Sequence, residues 1–316
     1  MKNKKPNIKL TEWLEHYKVN SELIPLAGDA SFRKYYRVAD NFHRGIVMDA
    51  SMQPESVEPF INIAHLLFET GVRTPKINAF DAEQGFIFME DVGNTHFYDV
   101  VETEKETIYP KAIDTIVKMQ YVDVRGLPLY DHDFLFFEME LMEEWYLKKY
   151  LSKILSVKEK TQLNTMLDQI TNVVLEQPQG FFVHRDYHSR NLMFNHDDAL
   201  VVIDFQDARV GSLTYDLVSL LRDVYVELDP KEVEQMALYF RDAKGLNVDD
   251  ATFMKWFDFT GLQRHIKILG IFARLALRDG KESYLKNIPM TLKYIMQIVS
   301  KYDEINPLKI LLDTTQ

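Results

Sequence analysis

The sequence predicts an α+β chain in two lobes, a small strand-rich one followed by a larger helical one. Two observations predict it. Short apolar or alternating runs broken by turn residues fill residues 21–91, with one helical stretch among them, whereas helical periodicity dominates after Gly93. A length of 316 residues suits two such parts and exceeds what one small core requires.

In the first part, residues 22–26, 34–38, 45–48 and 86–89 read as strands from their length and their β-branched or aromatic content. Residues 59–70 read as a helix with Phe60, Ile63, Ala64, Leu67 and Phe68 on its apolar face and Gly71 as its stop. The short segment Glu90-Asp91-Val92-Gly93 is the natural boundary, giving an N-terminal lobe over 1–91 and a C-terminal lobe over 92–316. Two lobes sharing a short hinge are expected to enclose a ligand in the cleft between them. In the second part helices are expected over 108–121, 136–151, 158–176, 215–226, 231–242, 252–278 and 283–301, with brief strands at 181–183 and 200–203. No repeat, low-complexity tract or Pro- or Ser-rich linker occurs.

Composition narrows the function. Asp plus Glu number 48 and Lys plus Arg 37, a net charge of −11, which argues against a general nucleic-acid binder. With no cysteine, disulfides, thiolate zinc sites and cysteine nucleophiles are excluded together. The opening MKNKKPNIKLTEW has the lysines of a signal peptide but no apolar stretch behind them. The most apolar later run, 266–277, carries Lys267 and Arg274 and falls short of the roughly 20 residues that span a bilayer. A cytoplasmic protein with no membrane partner is therefore expected, and a monomer.

Residues 181–207 carry the chemistry: FFVHRDYHSRNLMFNHDDALVVIDFQD. Asp186 and Asn191 lie five apart, and Asp204 thirteen beyond, at the end of an apolar run. A hairpin, 192–194 out and 200–203 back, would bring Asn191 and Asp204 together. An amide oxygen and a carboxylate are hard ligands suited to Mg²⁺, which takes few protein oxygens alongside phosphate oxygens and water. Asp186 would then be free to orient a hydroxyl nucleophile and accept its proton. Together these are the minimal parts of a phosphoryl-transfer site. His184 and His188 are four apart, which on a helix is half a zinc site, but the segment is not H-E-x-x-H and offers no third ligand.

These residues resemble the catalytic core of the aminoglycoside phosphotransferase/choline kinase superfamily. H-R-D-Y-H-S-R-N is similar to its H-x-D-x-x-x-x-N loop, and I-D-F-Q-D to its second metal-binding segment. The resemblance is nearer still to the bacterial anomeric kinases of N-acetylmuramate and N-acetylglucosamine. It is carried by G-D-A-S-F-R-K-Y-Y-R (28–37), I-V-M-D-A (46–50), M-E-D-V-G (89–93), F-V-H-R-D-Y-H-S-R-N-L-M (182–193), I-D-F-Q-D-A (203–208), T-Y-D-L-V-S-L-L-R-D (214–223) and G-L-Q-R-H-I-K-I-L-G-I-F-A-R-L (261–275). It implies a two-lobed protein-kinase-like fold and a sugar 1-kinase of peptidoglycan recycling that uses ATP and Mg²⁺. Asp186 would be the catalytic base, and Asn191 and Asp204 the metal ligands. Glu90, Asp91 and Val92 would form the adenine-binding hinge, and Gly28, Asp29, Ala30 and Ser31 the turn over the phosphates. That turn has a single glycine, and no G-x-G-x-x-G or Walker motif occurs. Asp216 would brace the catalytic loop, with His184 also structural; Asp216 could instead cap the helix beginning near Tyr215.

One departure stands out. Where such folds place a Lys or Arg at the end of the third strand, this chain has Asp49, an anion that would repel triphosphate. Either Asp49 points elsewhere or a cation comes from another position; Arg33, Lys34 and Arg37 are candidates, Arg33 and Arg37 sharing a face if the strand alternates, and the alternative is that they are solvated edge charges, Lys34 above all. On the acceptor side, His188, Arg190 and Gln206 adjoin the catalytic groups, and a lactyl carboxylate would favour an arginine. Arg222, Arg264 and His265 interrupt apolar helical stretches. They either meet the sugar or are buried and braced by Asp223 or another carboxylate. Trp145 and Tyr146 read as core packing rather than sugar stacking. The competing functions are the same chemistry on an aminoglycoside, choline or homoserine, and a pseudokinase scaffold.

Overall fold

Alternating apolar side chains build the first sheet, and a Trp-bearing helix covers it. The computed structural model describes residues 7–19, 21–26, 32–39 and 44–312. Contacts divide the chain into two compact units, Met1–His96 with Leu192–Gln206, and Phe97–Asn191 with Asp207–Gln316.

In the first unit, α1 (Ile8–Glu15) precedes β1 (Leu23–Pro25), β2 (Lys34–Ala39), β3 (Arg44–Asp49), α2 (Val57–Glu69), β4 (Ile77–Asp81) and β5 (Phe86–Met89). The five strands form an antiparallel sheet in the order β1-β2-β3-β5-β4. Leu10, Trp13 and Leu14 of α1 pack on Tyr36, Val38, Val47 and Phe86 to form its core. The expected strands and helix are present; α1 and β4 are additions. Gly71, at φ +74°, ends α2 as expected. Its N–H reaches the Phe68 carbonyl at 3.0 Å, while the Val72 N–H reaches the Leu67 carbonyl at 3.0 Å, a Schellman closure. Phe68 is not on the buried face. It is 72% exposed, and Leu67 with Val72 supplies the apolar closure at this end. A second sheet, β6 (Thr95–His96), β8 (Leu192–Phe194) and β9 (Leu200–Val202), contains the expected hairpin. Asn195 closes its turn, its Oδ1 accepting from the N–H groups of Asp197 and Ala199. The Val202 N–H donates to the Arg73 carbonyl at 2.8 Å.

The second unit comprises α3 (Phe97–Met119), α4 (His132–Leu141), α5 (Val157–Glu176), β7 (Phe181–Val183), β10 (Arg209–Gly211), α6 (Tyr215–Leu221), α7 (Pro230–Ala243), α8 (Asp250–Asp279), α9 (Ile288–Val299) and α10 (Pro307–Leu312). β7 and β10 pair antiparallel. The long α8 forms the axis of the core, with α4, α5 and α9 packed along it. It is capped by Asp249, whose side chain accepts from the Thr252 N–H at 2.9 Å, and closed by left-handed Gly280.

Four expected helices are corrected. The first begins at Phe97 and runs through Pro110. The stretch 136–151 divides into α4 and a π-helical segment, Met142–Tyr150. Gly270 of α8 explains the crowding at that junction, since a Cβ there would lie 2.3 Å from the Leu141 carbonyl carbon. α6 stops at Leu221, and residues 283–301 open with a 3₁₀ turn, Glu282–Asn287, before α9. Among the described residues no helix is long and apolar enough to cross a membrane.

Candidate functional site

β7 ends at Val183 and delivers the loop from His184 to Asn191. Arg185 there adopts φ +76°, a left-handed conformation that costs a non-glycine residue about 1 kcal/mol or more. Asp216 holds it there: its carboxylate accepts from the N–H of His184 at 2.7 Å and of Arg185 at 3.0 Å. Of the two readings of Asp216, the loop brace is the one its bonds satisfy. The N-cap of α6 is Thr214, without a side-chain cap bond. Burial pushes the Asp216 carboxyl up to about 6, against the pull of His184 and the two N–H groups. Asp223 clamps the loop's far end, accepting from the Ser189 and Tyr225 N–H groups, each at 2.9 Å. Inside the loop, Asn191 Nδ2 donates to the Asp186 carbonyl at 3.0 Å, and the Asp186 N–H donates to His184 Nδ1 at 3.3 Å.

The Asp186 side chain remains 43% exposed, so its carboxylate opens outward from this braced backbone. Burial of its surroundings raises its pKa, but Lys267, Arg264, His188 and Arg185 outweigh that and hold it well below the usual carboxylate range. Arg264 Nη2 lies 3.7 Å from Asp186 Oδ1. Arg190 stacks on Tyr225, its guanidinium 3.8 Å from the ring centroid and 5.4 Å from that of Tyr98. The His188 ring meets Tyr225 edge-on at 5.2 Å.

Beneath Asp186 is a network absent from the sequence reading. Glu138 of α4, buried, accepts from Tyr130 and from the Arg185 guanidinium. The Tyr130 hydroxyl bonds that of Tyr215 at 2.8 Å, and Lys267 Nζ donates to Tyr215 at 3.0 Å. Lys267 also lies 3.6 Å from Glu138. Burial raises the Glu138 pKa, yet Lys267 and Arg185 overcome it and keep the group anionic. The available signal was a single charge inside an apolar stretch, F-L-F-F-E-M and I-K-I-L-G-I.

Arg222 is braced instead of open. It pairs with Asp258, not Asp223, and its guanidinium carbon lies 4.6 Å from the Phe257 ring centroid. It lines a cavity of about 860 Å³ with Tyr294, Tyr302 and Lys301. His265 is structural as well: Nε2 donates to the Arg222 carbonyl at 3.0 Å, and burial pulls its pKa down to about 3. Tyr146 is core, as expected, and Trp145 packs against it with Lys149 over its ring.

In the first unit, Asp204 adopts φ +62° and its Oδ1 accepts from Gln206 Nε2 at 2.9 Å. Gln206, expected at the acceptor, is thus bonded to Asp204. The Glu90 side chain pairs with Arg73 at 2.6 Å and accepts from the Lys76 N–H at 3.0 Å. Asp91 pairs with Arg37 at 2.7 Å and accepts from the Gly93 N–H at 3.0 Å. Val92 packs with Met193, Val201 and Ile203 in a small apolar platform. Arg37 is therefore tied to Asp91 and the Gly93 carbonyl. Lys34 faces Asp49 across the β2–β3 register, and Arg33 lies over the Phe32 ring. Asp49 is buried, its Oδ1 accepting from the Ser51 N–H at 3.0 Å and hydroxyl at 2.6 Å, which gives this anion a local turn role. Gly28, Asp29, Ala30 and Ser31 lie outside the described residues. Among the described residues no three His, Cys, Asp or Glu side chains are grouped to hold a metal ion.

The family model of the phosphotransferase enzyme family (APH) matches residues 22–250. The N-acetylmuramate/N-acetylglucosamine kinase of Pseudomonas aeruginosa is 36% identical over 292 residues, 90% of this chain and 86% of that protein. The protein of the same name from Neisseria meningitidis is 36% identical over 319 residues, 96% of this chain and 94% of that protein. Among solved structures, choline kinase LicA from Streptococcus pneumoniae superposes with a TM-score of 0.64 at 14% identity, covering 92% of this chain and 98% of that one. ADP-bound aminoglycoside phosphotransferase APH(2'')-Ib gives 0.61 at 13% identity, covering 93% and 99%. These two likenesses establish the protein-kinase-like α+β fold. With the family model spanning most of its length, the chain belongs to the phosphotransferase enzyme family.

Proposed function

We propose that this chain is a cytoplasmic, monomeric, ATP-dependent kinase that phosphorylates the anomeric hydroxyl of N-acetylmuramate or N-acetylglucosamine during peptidoglycan recycling. Similarity over almost the whole length to kinases of that name supports the substrate class. The observation that carries the chemistry is Asp186, an exposed carboxylate on a loop braced by Asp216 and Asp223. His188 and Arg264 near it, with Arg190 four residues on in the chain, favour a neutral or anionic acceptor over a cationic choline or aminoglycoside.

The acceptor oxygen forms a bond to the γ-phosphorus, the bond from that phosphorus to the ADP oxygen breaks, and the hydroxyl proton passes to Asp186. A carboxylate held so firmly as an anion is a weak base but a good acceptor, so Asp186 chiefly orients the hydroxyl. An anomeric hydroxyl, more acidic than an ordinary alcohol, suits such a base. Asn191 and Asp204 would be the residues that hold Mg²⁺. The pair fits by its donor chemistry, an amide oxygen from Asn191 and a carboxylate from Asp204, both hard ligands. Mg²⁺, when bound, contributes charge neutralisation on the phosphates. The hinge Glu90–Val92 with its apolar platform, together with Arg33 and residues 28–31, serves the nucleotide. His184 and Asp216 keep the loop in shape.

ADP release, measured with N-acetylmuramate, N-acetylglucosamine, choline and an aminoglycoside as acceptors, tests this reading. Turnover with the amino sugars, reduced on the order of 10³-fold or more in Asp186→Asn, is expected. Turnover confined to a cationic acceptor would overturn the substrate assignment.

A further inference from the structure

Between residues 263 and 267, α8 carries four polar side chains into the interior: Gln263, Arg264, His265 and Lys267, each at most 2% exposed. Three of them make hydrogen bonds inside the protein. Gln263 Nε2 donates to the Leu135 carbonyl at 3.2 Å, His265 Nε2 to the Arg222 carbonyl at 3.0 Å, and Lys267 Nζ to the Tyr215 hydroxyl at 3.0 Å. Arg264 differs. Among the described residues its one ion pair is with Asp186, at 3.7 Å, beyond hydrogen-bond length, and its buried Nε has no hydrogen-bond partner.

A guanidinium carries five donors in a planar fork, and burying one without acceptors is costly unless a ligand supplies them. The nearby anions are already engaged. Glu138 takes Tyr130 and Arg185 with Lys267 alongside, Asp216 takes two backbone N–H groups, and Asp258 takes Arg222 and Lys301. Lys267 and Arg185 thus have Glu138 as an anion, whereas among the described residues Arg264 has Asp186 alone, at 3.7 Å, where that carboxylate opens outward.

We infer that Arg264 is a ligand-contacting residue whose guanidinium binds an oxyanion that arrives beside Asp186 together with the acceptor hydroxyl. This rests on the kinase reading above and assigns the acceptor-side anion contact to one residue. Two groups share that chemistry: the phosphoryl in transfer and the lactyl carboxylate of N-acetylmuramate. The fork gives Arg264 two parallel donors for either, which a lysine would lack.

The test compares wild type with Arg264→Met and Arg264→Lys. Steady-state kinetics use N-acetylglucosamine, which has no carboxylate, and N-acetylmuramate, which has one. Binding of Mg·ADP with aluminium fluoride, a planar phosphoryl mimic, is read by thermal shift. If the phosphoryl is the ligand, kcat falls on the order of 10²-fold for both sugars, the sugar KM values hold, and the fluoride-dependent shift is lost. If the carboxylate is the ligand, KM for N-acetylmuramate alone rises about tenfold or more. Either result supports the assignment. Folded Arg264→Met within threefold of wild type on both sugars, with the fluoride shift intact, would overturn it. Should Arg264→Met fail to fold, Arg264→Lys decides: full wild-type kinetics would overturn the fork contact, and a tenfold loss would support it. A wild type that transfers to neither sugar and gives no fluoride shift would overturn the kinase reading itself.

Discussion

Replacing Asp216 by asparagine separates its two effects on the catalytic loop. The carboxylate accepts two backbone N–H groups in the buried interior, those of His184 and Arg185. Asp216→Asn keeps one acceptor oxygen and loses the other, a pH-independent cost of about 1–3 kcal/mol. The carboxylate also bears a burial penalty, because its pKa rises from 3.8 to about 6 on folding. The folded state thus binds this proton more tightly than the unfolded state. Stability is unaffected below pH 3.8 and falls as pH rises through 6, by an amount on the order of 3 kcal/mol at 1.36 kcal/mol per unit. The asparagine variant lacks this term. About 1 kcal/mol of that loss has already occurred by pH 4.5, so the gap between wild type and variant should shrink by about 2 kcal/mol, or roughly 4 °C, between pH 4.5 and 7.5. Groups with depressed pKa values, Glu138 and Asp258 among them, titrate alike in both proteins and cancel in the difference. Paired thermal melts across this range supply the assay. A stability gap constant from pH 4.5 to 7.5 would refute the claim that buried Asp216 carries a strained charge.

Lys267→Met should lower stability by about 3–5 kcal/mol in urea denaturation, because Glu138 loses a buried cation. Adding Glu138→Gln should recover part of the loss, and strict additivity of the two substitutions would contradict a shared network. Gly270→Ala should cost about 2 kcal/mol or more and lower Tm, since its Cβ meets the Leu141 backbone at 2.3 Å.

Much of this was legible in the sequence, for identifiable reasons. The strands 34–38, 45–48 and 86–89 are rich in aromatic, β-branched or other apolar residues, and their neighbours in the chain are turn formers. The hairpin before Asp204 announced itself by two apolar runs around N-H-D-D. β4 was missed because it is a half-exposed edge strand, I-N-A-F-D, with no continuous apolar face. The start of α3 was missed because its second and third turns, E-T-E-K-E-T, are polar, and Pro110 reads as a helix opening while lying inside one. The π-helical segment begins where Gly270 approaches Leu141 and Met142, a tertiary contact that local pattern does not contain.

The site divides the same way. Asp186, Asn191, Asp204 and Asp216 stand in one short motif and its immediate sequel. Glu138 and Lys267 come from distant helices, and only folding sets them under the same loop. Arg222 illustrates the limit. Its expected brace was Asp223 or another carboxylate; Asp223 holds Ser189 and Tyr225, and Asp258 of α8, which the sequence did not single out, takes the guanidinium. Asp49 shows the converse. Its sequence position suggested conflict with phosphate, and its bonds to Ser51 give it a local partner that the strand pattern did not reveal.

The most direct test of anomeric transfer is ³¹P NMR of the purified protein with ATP, Mg²⁺ and either N-acetylglucosamine or its 1-O-methyl glycoside, with Asp186→Asn alongside. A sugar 1-phosphate resonance coupled to the anomeric proton is expected from the free sugar, none from the methyl glycoside, and none from the variant. A phosphorylated methyl glycoside would contradict anomeric transfer, and wild-type turnover in Asp186→Asn would remove Asp186 from the reaction.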